Sequence, residues 1–152
     1  MKQKFIDLYM AWAARTAELS HARRLQVGAV IVKDDSVISY GYNGMPAGWD
    51  NNCEDEIGQV LDDNGNIYEA RLKTKPEVLH AESNAIAKLA KSNNSGLGAT
   101  MFITHAPCME CAKLIYQSGI GHVLYRDAYR DTSGVTFLET SGVTVEQLPA
   151  QD

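Results

Sequence analysis

Two short motifs that lie far apart along the chain constrain its fold most strongly. The first pairs His80 with Glu82, and the second pairs Cys108 with Cys111 directly after Pro107. One imidazole and two thiols can hold a zinc ion through three bonds, which leaves one tetrahedral position open, as in zinc sites that carry out chemistry. Each motif begins a segment whose sequence predicts a helix. The fold is therefore expected to bring two helix N-termini together around one cation.

The cysteine pair is well suited to bind a metal. Cys108 and Cys111 are three residues apart, so they share one face of a helix. They also lie in its first turn, where the helix dipole and the free N–H groups favour negative charge and so favour thiolates. Pro107 cannot donate a backbone hydrogen bond, but the start of a helix does not need one from that position.

Glu82 is the candidate for moving protons at this site. Two residues separate it from His80, and in mid-helix the two side chains would point about 200° apart. Both can reach one site only near the start of a helix. We therefore interpret Glu82 as an acid–base residue beside the metal and not as a metal ligand.

Simpler explanations exist for each motif alone. A His-x-Glu pair is common at a solvated helix N-terminus, and a C-x-x-C pair can be a redox pair or half of a structural zinc site. A structural site would need a fourth ligand, for which His105 and His122 are candidates, although neither has the usual close spacing to the thiols. Cys53 has no cysteine or histidine within ten residues and is expected to be a free thiol.

Length and composition predict one globular domain over residues 1–152, with an ordinary core from 45% hydrophobic residues. No apolar run approaches the roughly 18–20 residues that span a bilayer, and the N-terminus does not resemble a secretory signal. Three cysteines, two of them in C-x-x-C, favour a reducing compartment, with the cytoplasm as the default. A net charge of −5 argues against binding of polymeric nucleic acid.

Periodicity and turn residues predict a layered α/β domain with the order α-β-β-α-β-α-β-α-β. The segment at about residues 43–79 is rich in Gly, Asn and Asp and is predicted to be a long functional loop, within which Asn64-Gly65 turns a small hairpin. Helices are predicted at residues 5–19, 80–91, 108–118 and 133–141, and strands at residues 27–32, 37–42, 99–104, 122–126 and 143–147.

Longer stretches around both motifs resemble the deoxycytidylate (dCMP) deaminase family. The arrangement H-x-E followed by P-C-x-x-C is a signature that zinc nucleobase deaminases share, and the stretch Gly41–Gly48 narrows the resemblance to this family. The resemblance extends over nearly the whole chain, through the stretches Gln26–Val32, Gly41–Gly48, His80–Ile86, Pro107–Ile115, Ser118–Ile120 and Ser141–Val143.

The resemblance implies a cytidine-deaminase-like three-layer sandwich, in which helices cover both faces of a five-stranded mixed sheet. It implies a homo-oligomer, usually a hexamer. The implied activity is zinc-dependent hydrolytic deamination of dCMP to dUMP and ammonia, which supplies dUMP for thymidylate synthesis. It also implies activation by dCTP and inhibition by dTTP, with Mg²⁺ accompanying such a triphosphate effector.

The resemblance also implies roles for individual residues. Zinc would be held by His80, Cys108 and Cys111, and Glu82 would carry protons from water to N3 and to the departing amino group. Family members that carry a second zinc use a cysteine in the long loop and histidines just before the catalytic one. Cys53 could be that cysteine, but the stretch 55–79 lacks histidines, so we expect one zinc ion per chain.

Nucleotide contacts follow from the same resemblance. The substrate would be bound by Asn43 at the deoxyribose, by the backbone N–H of Ala81 at the pyrimidine carbonyl, and by Tyr129 at the phosphate with Arg126 and Arg130 beside it. The effector would be bound by Gly41, Tyr42, Asn43 and Gly44, with Arg23 and Arg24 at its phosphates. Two alternatives stay open: the arginines can be solvated surface charges, and Asn43 can be a turn residue that tolerates positive φ.

Three other functions compete with this interpretation. Adenosine deaminases acting on tRNA share the zinc motifs, but they would be expected to have a basic surface, which this acidic chain does not suggest. A deaminase of free cytidine would not need phosphate contacts. A zinc-stabilised module without catalysis would unfold on chelation and release no ammonia.

Overall fold

The computed structural model describes residues 1–149, which form four helices and seven strands. The elements are α1 (Gln3–Ala17), β1 (Gly28–Lys33), β2 (Ser36–Tyr42), β3 (Glu54–Leu61), β4 (Ile67–Thr74), α2 (Ala81–Ala90), β5 (Thr100–His105), α3 (Met109–Gln117), β6 (His122–Asp127), α4 (Ser133–Thr140) and β7 (Thr144–Gln147). Nothing among these helices has the length and apolar character needed to cross a membrane.

Five strands form the central sheet, in the order β2-β1-β5-β6-β7. The strand β1 pairs antiparallel with β2 and with β5, whereas β6 runs parallel to both β5 and β7. The inner strands β1 and β5 are buried along almost their whole length, because helices cover both of their faces. The prediction of a five-stranded mixed sheet is confirmed.

The two faces of the sheet carry separate hydrophobic clusters. Alternate residues of one strand point to opposite faces, so that Ile31 of β1 joins one cluster and Val30 joins the other. Helices α2, α3 and α4 contribute Ala85, Ile115 and Leu138 to the first cluster. Helix α1 covers the other face, where Tyr9, Met10 and Ala13 pack against Val30, Phe102 and Leu124. The predicted three-layer sandwich is therefore confirmed.

The segment at about residues 43–79 differs from the predicted long loop. It contains the strands β3 and β4, which pair antiparallel as a hairpin outside the main sheet. The turn at Asn64-Gly65 is present, with Gly65 at φ +80° and the backbone N–H of Asn64 bonded to Asp62. Both strands are largely exposed. The small hairpin predicted at Asn64-Gly65 is confirmed. The rest of the loop prediction was wrong over the length of these two strands, because strands exposed on both faces have no apolar alternation to reveal them.

Candidate active site

His80, Cys108 and Cys111 converge as the sequence predicts. Their ligand atoms all lie within 4.8 Å of one another, and in residues 1–149 they are the only group of three such side chains that could hold a metal. The Nδ1 atom of His80 lies 3.3 Å from the Sγ of Cys111 and 3.7 Å from that of Cys108. Tetrahedral zinc with bonds of about 2.1 Å to nitrogen and 2.3 Å to sulfur requires a separation of about 3.6 Å. The three residues therefore fit a zinc ion.

Both motifs begin one residue before their helices. His80 and Cys108 are extended N-cap residues, with ψ 154° and 169°, and the first helical residues are Ala81 and Met109. The helices were predicted to begin at the ligands themselves. Because His80 lies outside the helix, the 100° rotation per residue does not separate it from Glu82. Both side chains consequently line one cavity, and Glu82 is buried.

The charges of these groups are strongly coupled. Hydrogen bonds from Cys111 and from His80 lower the pKa of the Cys108 thiol to about 4. The neighbouring Cys108 sulfur and burial raise the pKa of Cys111, and the hydrogen bond to Cys108 raises the pKa of His80. Burial raises the pKa of Glu82 above its usual range. Without a metal, Cys108 therefore ionises more readily than Cys111, and burial makes the Glu82 carboxylate a better proton acceptor than an exposed glutamate.

The two candidate fourth ligands, His105 and His122, have other partners. His122 Nε2 lies 2.8 Å from Glu146, on the far strand β7. His105 lines the cavity, but neither histidine joins the ligand group. Thr104 Oγ1 accepts the N–H of Gly28 and lies 2.8 Å from His105 Nδ1, and His105 Nε2 lies 3.4 Å from Asp127. A four-ligand structural site with either histidine is therefore not formed.

Close packing holds the two ligand-bearing turns. A Cβ atom at Gly134 in α4 would lie 2.2 Å from the carbonyl oxygen of Pro107 and 2.8 Å from the carbonyl of Cys108. One at Gly41 in β2 would lie 2.3 Å from the carbonyl oxygen of Ala81. Each glycine lets a neighbouring element press directly against one helix start. Gly41, predicted to bind an effector, thus has a packing role beside α2.

The cavity at this site has a volume of about 330 Å³. Small-molecule sites span roughly 300–1,000 Å³, so its size suits a mononucleotide. Its wall includes four of the predicted nucleotide-binding residues, Asn43, Ala81, Tyr129 and Arg24. Sequence reasoning missed Cys53, Thr74, Val78, His105 and Ala106 as wall residues. For His105 a signal existed, because it ends a buried strand two residues before Pro107.

Asn43 holds the backbone beside the cavity. Its Oδ1 accepts the N–H of Val27 and its Nδ2 donates to the carbonyl of Leu25, both at 2.8 Å. It is absent from the non-glycine residues with positive φ, which are Asp34 and Asp35. The alternative of Asn43 as a turn residue with positive φ is therefore wrong.

The arginines are distributed differently from the prediction. Arg126 does not line the cavity, since its guanidinium forms two hydrogen bonds to Asp127, at 3.0 and 3.1 Å. Arg130 is exposed and is also absent from the wall. Arg24, predicted to bind an effector, lies in the wall of the cavity itself and donates to Thr74 Oγ1 at 3.0 Å.

The remaining effector candidates lie outside the cavity wall. Arg23 donates to Asn52 Oδ1 at 3.1 Å. Tyr42 is exposed at the end of β2, and Gly44 exchanges two backbone hydrogen bonds with Leu79. Of the predicted effector residues, the cavity therefore includes only Asn43 and Arg24.

Comparison with known proteins identifies the family. Residues 3–126 match the model of the cytidine and deoxycytidylate deaminase zinc-binding region. The chain belongs to the cytidine and deoxycytidylate deaminase family. It is 38% identical over 133 residues to the deoxycytidylate deaminase of Homo sapiens, in an alignment that covers 86% of this chain and 69% of that protein. It is 40% identical over 141 residues to ComE operon protein 2 of Bacillus subtilis, which covers 92% and 69%.

A solved structure of this family has the same fold. The dCMP deaminase from the cyanophage S-TIM5, in complex with dCMP and dUMP, is 40% identical, with a TM-score of 0.83 over 97% of this chain and 99% of that one. The predicted resemblance to deoxycytidylate deaminases is confirmed. Membership also supports zinc as the metal for the His-Cys-Cys group.

Proposed function

We propose that this protein hydrolyses dCMP to dUMP and ammonia. The observation that carries the proposal is the convergence of His80, Cys108 and Cys111 beside the buried Glu82, in a cavity of mononucleotide size. Support comes from the cyanophage relative, whose structure contains dCMP and dUMP. One zinc ion held by the three ligands would supply Lewis acidity that lowers the pKa of a nearby water.

Glu82 performs the proton transfers in this proposal. Its carboxylate takes a proton from the water as the water oxygen attacks C4 of the cytosine, and it delivers that proton to N3. A tetrahedral carbon results. Glu82 then moves a second proton from the hydroxyl group to the amino group, which leaves as ammonia and yields the carbonyl of uracil. Burial raises the pKa of Glu82, and a general acid–base group works best when its pKa lies near the working pH.

The substrate contacts are proposed from the cavity wall. Asn43 would contact the deoxyribose, and the backbone N–H of Ala81 would meet the pyrimidine carbonyl. For the 5′-phosphate, Arg24 replaces Arg126 as the proposed cation, because Arg24 lines the cavity whereas Arg126 is paired with Asp127. Tyr129, an exposed part of the same wall, would donate a hydrogen bond from its hydroxyl group to the phosphate.

Regulation and assembly are proposed from the family resemblance. The effectors would be dCTP as activator and dTTP as inhibitor, with Mg²⁺ on the triphosphate. Gly41, Tyr42, Asn43, Gly44 and Arg23 would form part of the effector site, and Arg24 would be shared with the substrate. The protein would act as a single-domain homohexamer in the cytoplasm, with the hairpin β3–β4 as its functional loop.

Ammonia release from a panel of substrates tests the proposal. The panel holds deoxycytidine, dCMP, CMP, dCTP and a tRNA anticodon stem, each with and without dCTP and dTTP as effectors. We expect dCMP to be the best substrate. Activity on free deoxycytidine alone would refute the nucleotide proposal, activity on the anticodon stem would indicate a tRNA deaminase, and no response to either triphosphate would refute the proposed regulation. Loss of fold on chelation, without ammonia release from any substrate, would indicate a zinc-stabilised module.

A further inference from the structure

Glu54 is a buried carboxylate that the proposed chemistry does not use. It begins the strand β3, and only 1% of its surface is exposed, although it does not line the cavity. Burying a carboxylate is costly unless hydrogen bonds satisfy its oxygens. A buried carboxylate at the base of an exposed hairpin therefore requires hydrogen-bond donors, and their identity indicates its role.

The partners of Glu54 are backbone N–H groups of the segment that carries the cavity arginine. The N–H of Arg23 donates to both carboxylate oxygens, at 2.9 and 3.0 Å, and the N–H of Arg24 donates to Oε2 at 3.4 Å. This segment lies between α1 and β1 and has no regular structure. Its position therefore depends on such bonds rather than on a helix or a ladder.

The same hairpin also holds the side chain of Arg24. Thr74, which accepts from Arg24 Nη1 at 3.0 Å, is the residue paired with Glu54 in the register of β3 and β4. The carboxylate of Glu54 thus secures the Arg24 backbone, and the hydroxyl of its cross-strand neighbour secures the guanidinium. Arg23 adds a further connection to the hairpin base through Asn52.

We propose that Glu54 is a positioning residue for recognition of the substrate phosphate. It keeps the backbone of Arg23 and Arg24 against the base of the β3–β4 hairpin, so that the Arg24 guanidinium stays in the cavity wall. The inference rests on the proposed function, in which Arg24 binds the 5′-phosphate of dCMP. Loss of Glu54 should therefore lower kcat/KM for the nucleotide dCMP but not for the nucleoside deoxycytidine, which has no phosphate.

Comparison of dCMP with deoxycytidine tests this role. We expect Arg24→Gln to lower kcat/KM for dCMP by about 10–100-fold relative to deoxycytidine, because hydrogen bonds to charged groups contribute about 1.5–3 kcal/mol. Glu54→Gln retains the size of the side chain but turns an amide N–H toward a backbone donor. It should lower the same ratio by roughly 5–50-fold through KM, since misplacing a binding group by about 1 Å can cost as much as 10²-fold. The kcat for dCMP should stay within about twofold of the wild-type value, because Glu54 contacts no residue proposed to move protons.

A double variant separates positioning from a general structural effect. If Glu54 acts through Arg24, the variant carrying both Glu54→Gln and Arg24→Gln has the same nucleotide-to-nucleoside ratio as Arg24→Gln alone. Glu69→Gln removes the same charge from an exposed site on β4 and serves as the control, with an unchanged ratio. Thr74→Val keeps Glu54 and removes only the hydroxyl that accepts from Arg24, so it tests the mechanism even if Glu54→Gln does not fold.

Several results would overturn the inference. An equal loss of activity on dCMP and deoxycytidine in Glu54→Gln and Thr74→Val, at full zinc content, would mean that the hairpin base only stabilises the fold. If Glu54→Gln lowers the ratio of kcat/KM for dCMP to that for deoxycytidine as much in the Arg24→Gln background as in the wild type, then Glu54 acts independently of Arg24. If the wild-type protein releases ammonia from neither compound, then the proposed function itself fails, and the role of Glu54 in substrate selection fails with it.

Discussion

Replacement of Gly134 by alanine should weaken zinc binding, because it displaces the backbone of Cys108 without changing any candidate ligand. The new Cβ atom would lie 2.2 Å from the carbonyl oxygen of Pro107 and 2.8 Å from the carbonyl carbon and oxygen of Cys108. Non-bonded carbon contacts are favourable at about 3.5–4.0 Å, so α4 and the Pro107–Cys108 turn must separate by about 1 Å. Both neighbours are backbone atoms and cannot turn aside as a flexible side chain could.

The size of the effect follows from that displacement. Overpacking a well-packed interior costs about 1–3 kcal/mol, and a clash between two backbones belongs at the upper end. For a chain of this size, about 3 kcal/mol corresponds to a fall in Tm of roughly 6–12 °C. Metal–ligand distances tolerate only about 0.2 Å, so moving Cys108 should also weaken zinc binding by about 10–100-fold, as loss of supporting contacts does elsewhere.

The assay combines urea unfolding of the metal-free protein with zinc competition against a chelator. Gly121→Ala is the matched control, because a Cβ atom there meets nothing within 4 Å and the residue has no positive φ. We expect the control to resemble the wild type in both measurements. If Gly134→Ala matches the control in stability and in zinc affinity, then the close approach of α4 does not position Cys108 and the reasoning is wrong.

Three further predictions use other parts of the molecule. Glu82→Gln should retain zinc but reduce turnover of dCMP by about 10²–10⁴-fold, measured as ammonia release beside metal content; near-wild-type turnover would remove Glu82 from the chemistry. Asp35→Gly should raise stability by about 0.5–1 kcal/mol in urea unfolding, because Asp35 has φ 60° at the β1–β2 turn and glycine adopts that conformation without strain; a loss of stability would contradict this. Burial lowers the pKa of His105 in the folded protein. As the pH falls below about 6.5, this histidine is therefore protonated more readily in the unfolded state than in the folded state. The metal-free wild type should therefore lose stability more steeply below that pH than His105→Gln, and parallel curves would refute the claim.

The sequence by itself determined the candidate metal ligands and most of the central architecture. His80, Cys108 and Cys111 were recognisable because zinc demands particular donor atoms, and the chain supplies three of them at helix starts. The strands β1 and β5 were recognisable because burial on both faces leaves a continuous apolar run. The helices α2 and α3 were recognisable from local spacing and from their ends, although each begins one residue later than predicted.

Only the tertiary structure decided what surrounds those ligands. The extent of the strands β3 and β4 escaped prediction because exposed strands carry no apolar periodicity; only the turn of their hairpin, at Asn64-Gly65, was recognisable. The choice of Arg24 over Arg126 as the cavity arginine depends on which cation already has a carboxylate partner, and Asp127 takes Arg126. The local sequence shows which residues are charged and which segments form helices. The side chains that share a cavity are selected by long-range packing and pairing, as when Glu54 of the hairpin holds the backbone of Arg24.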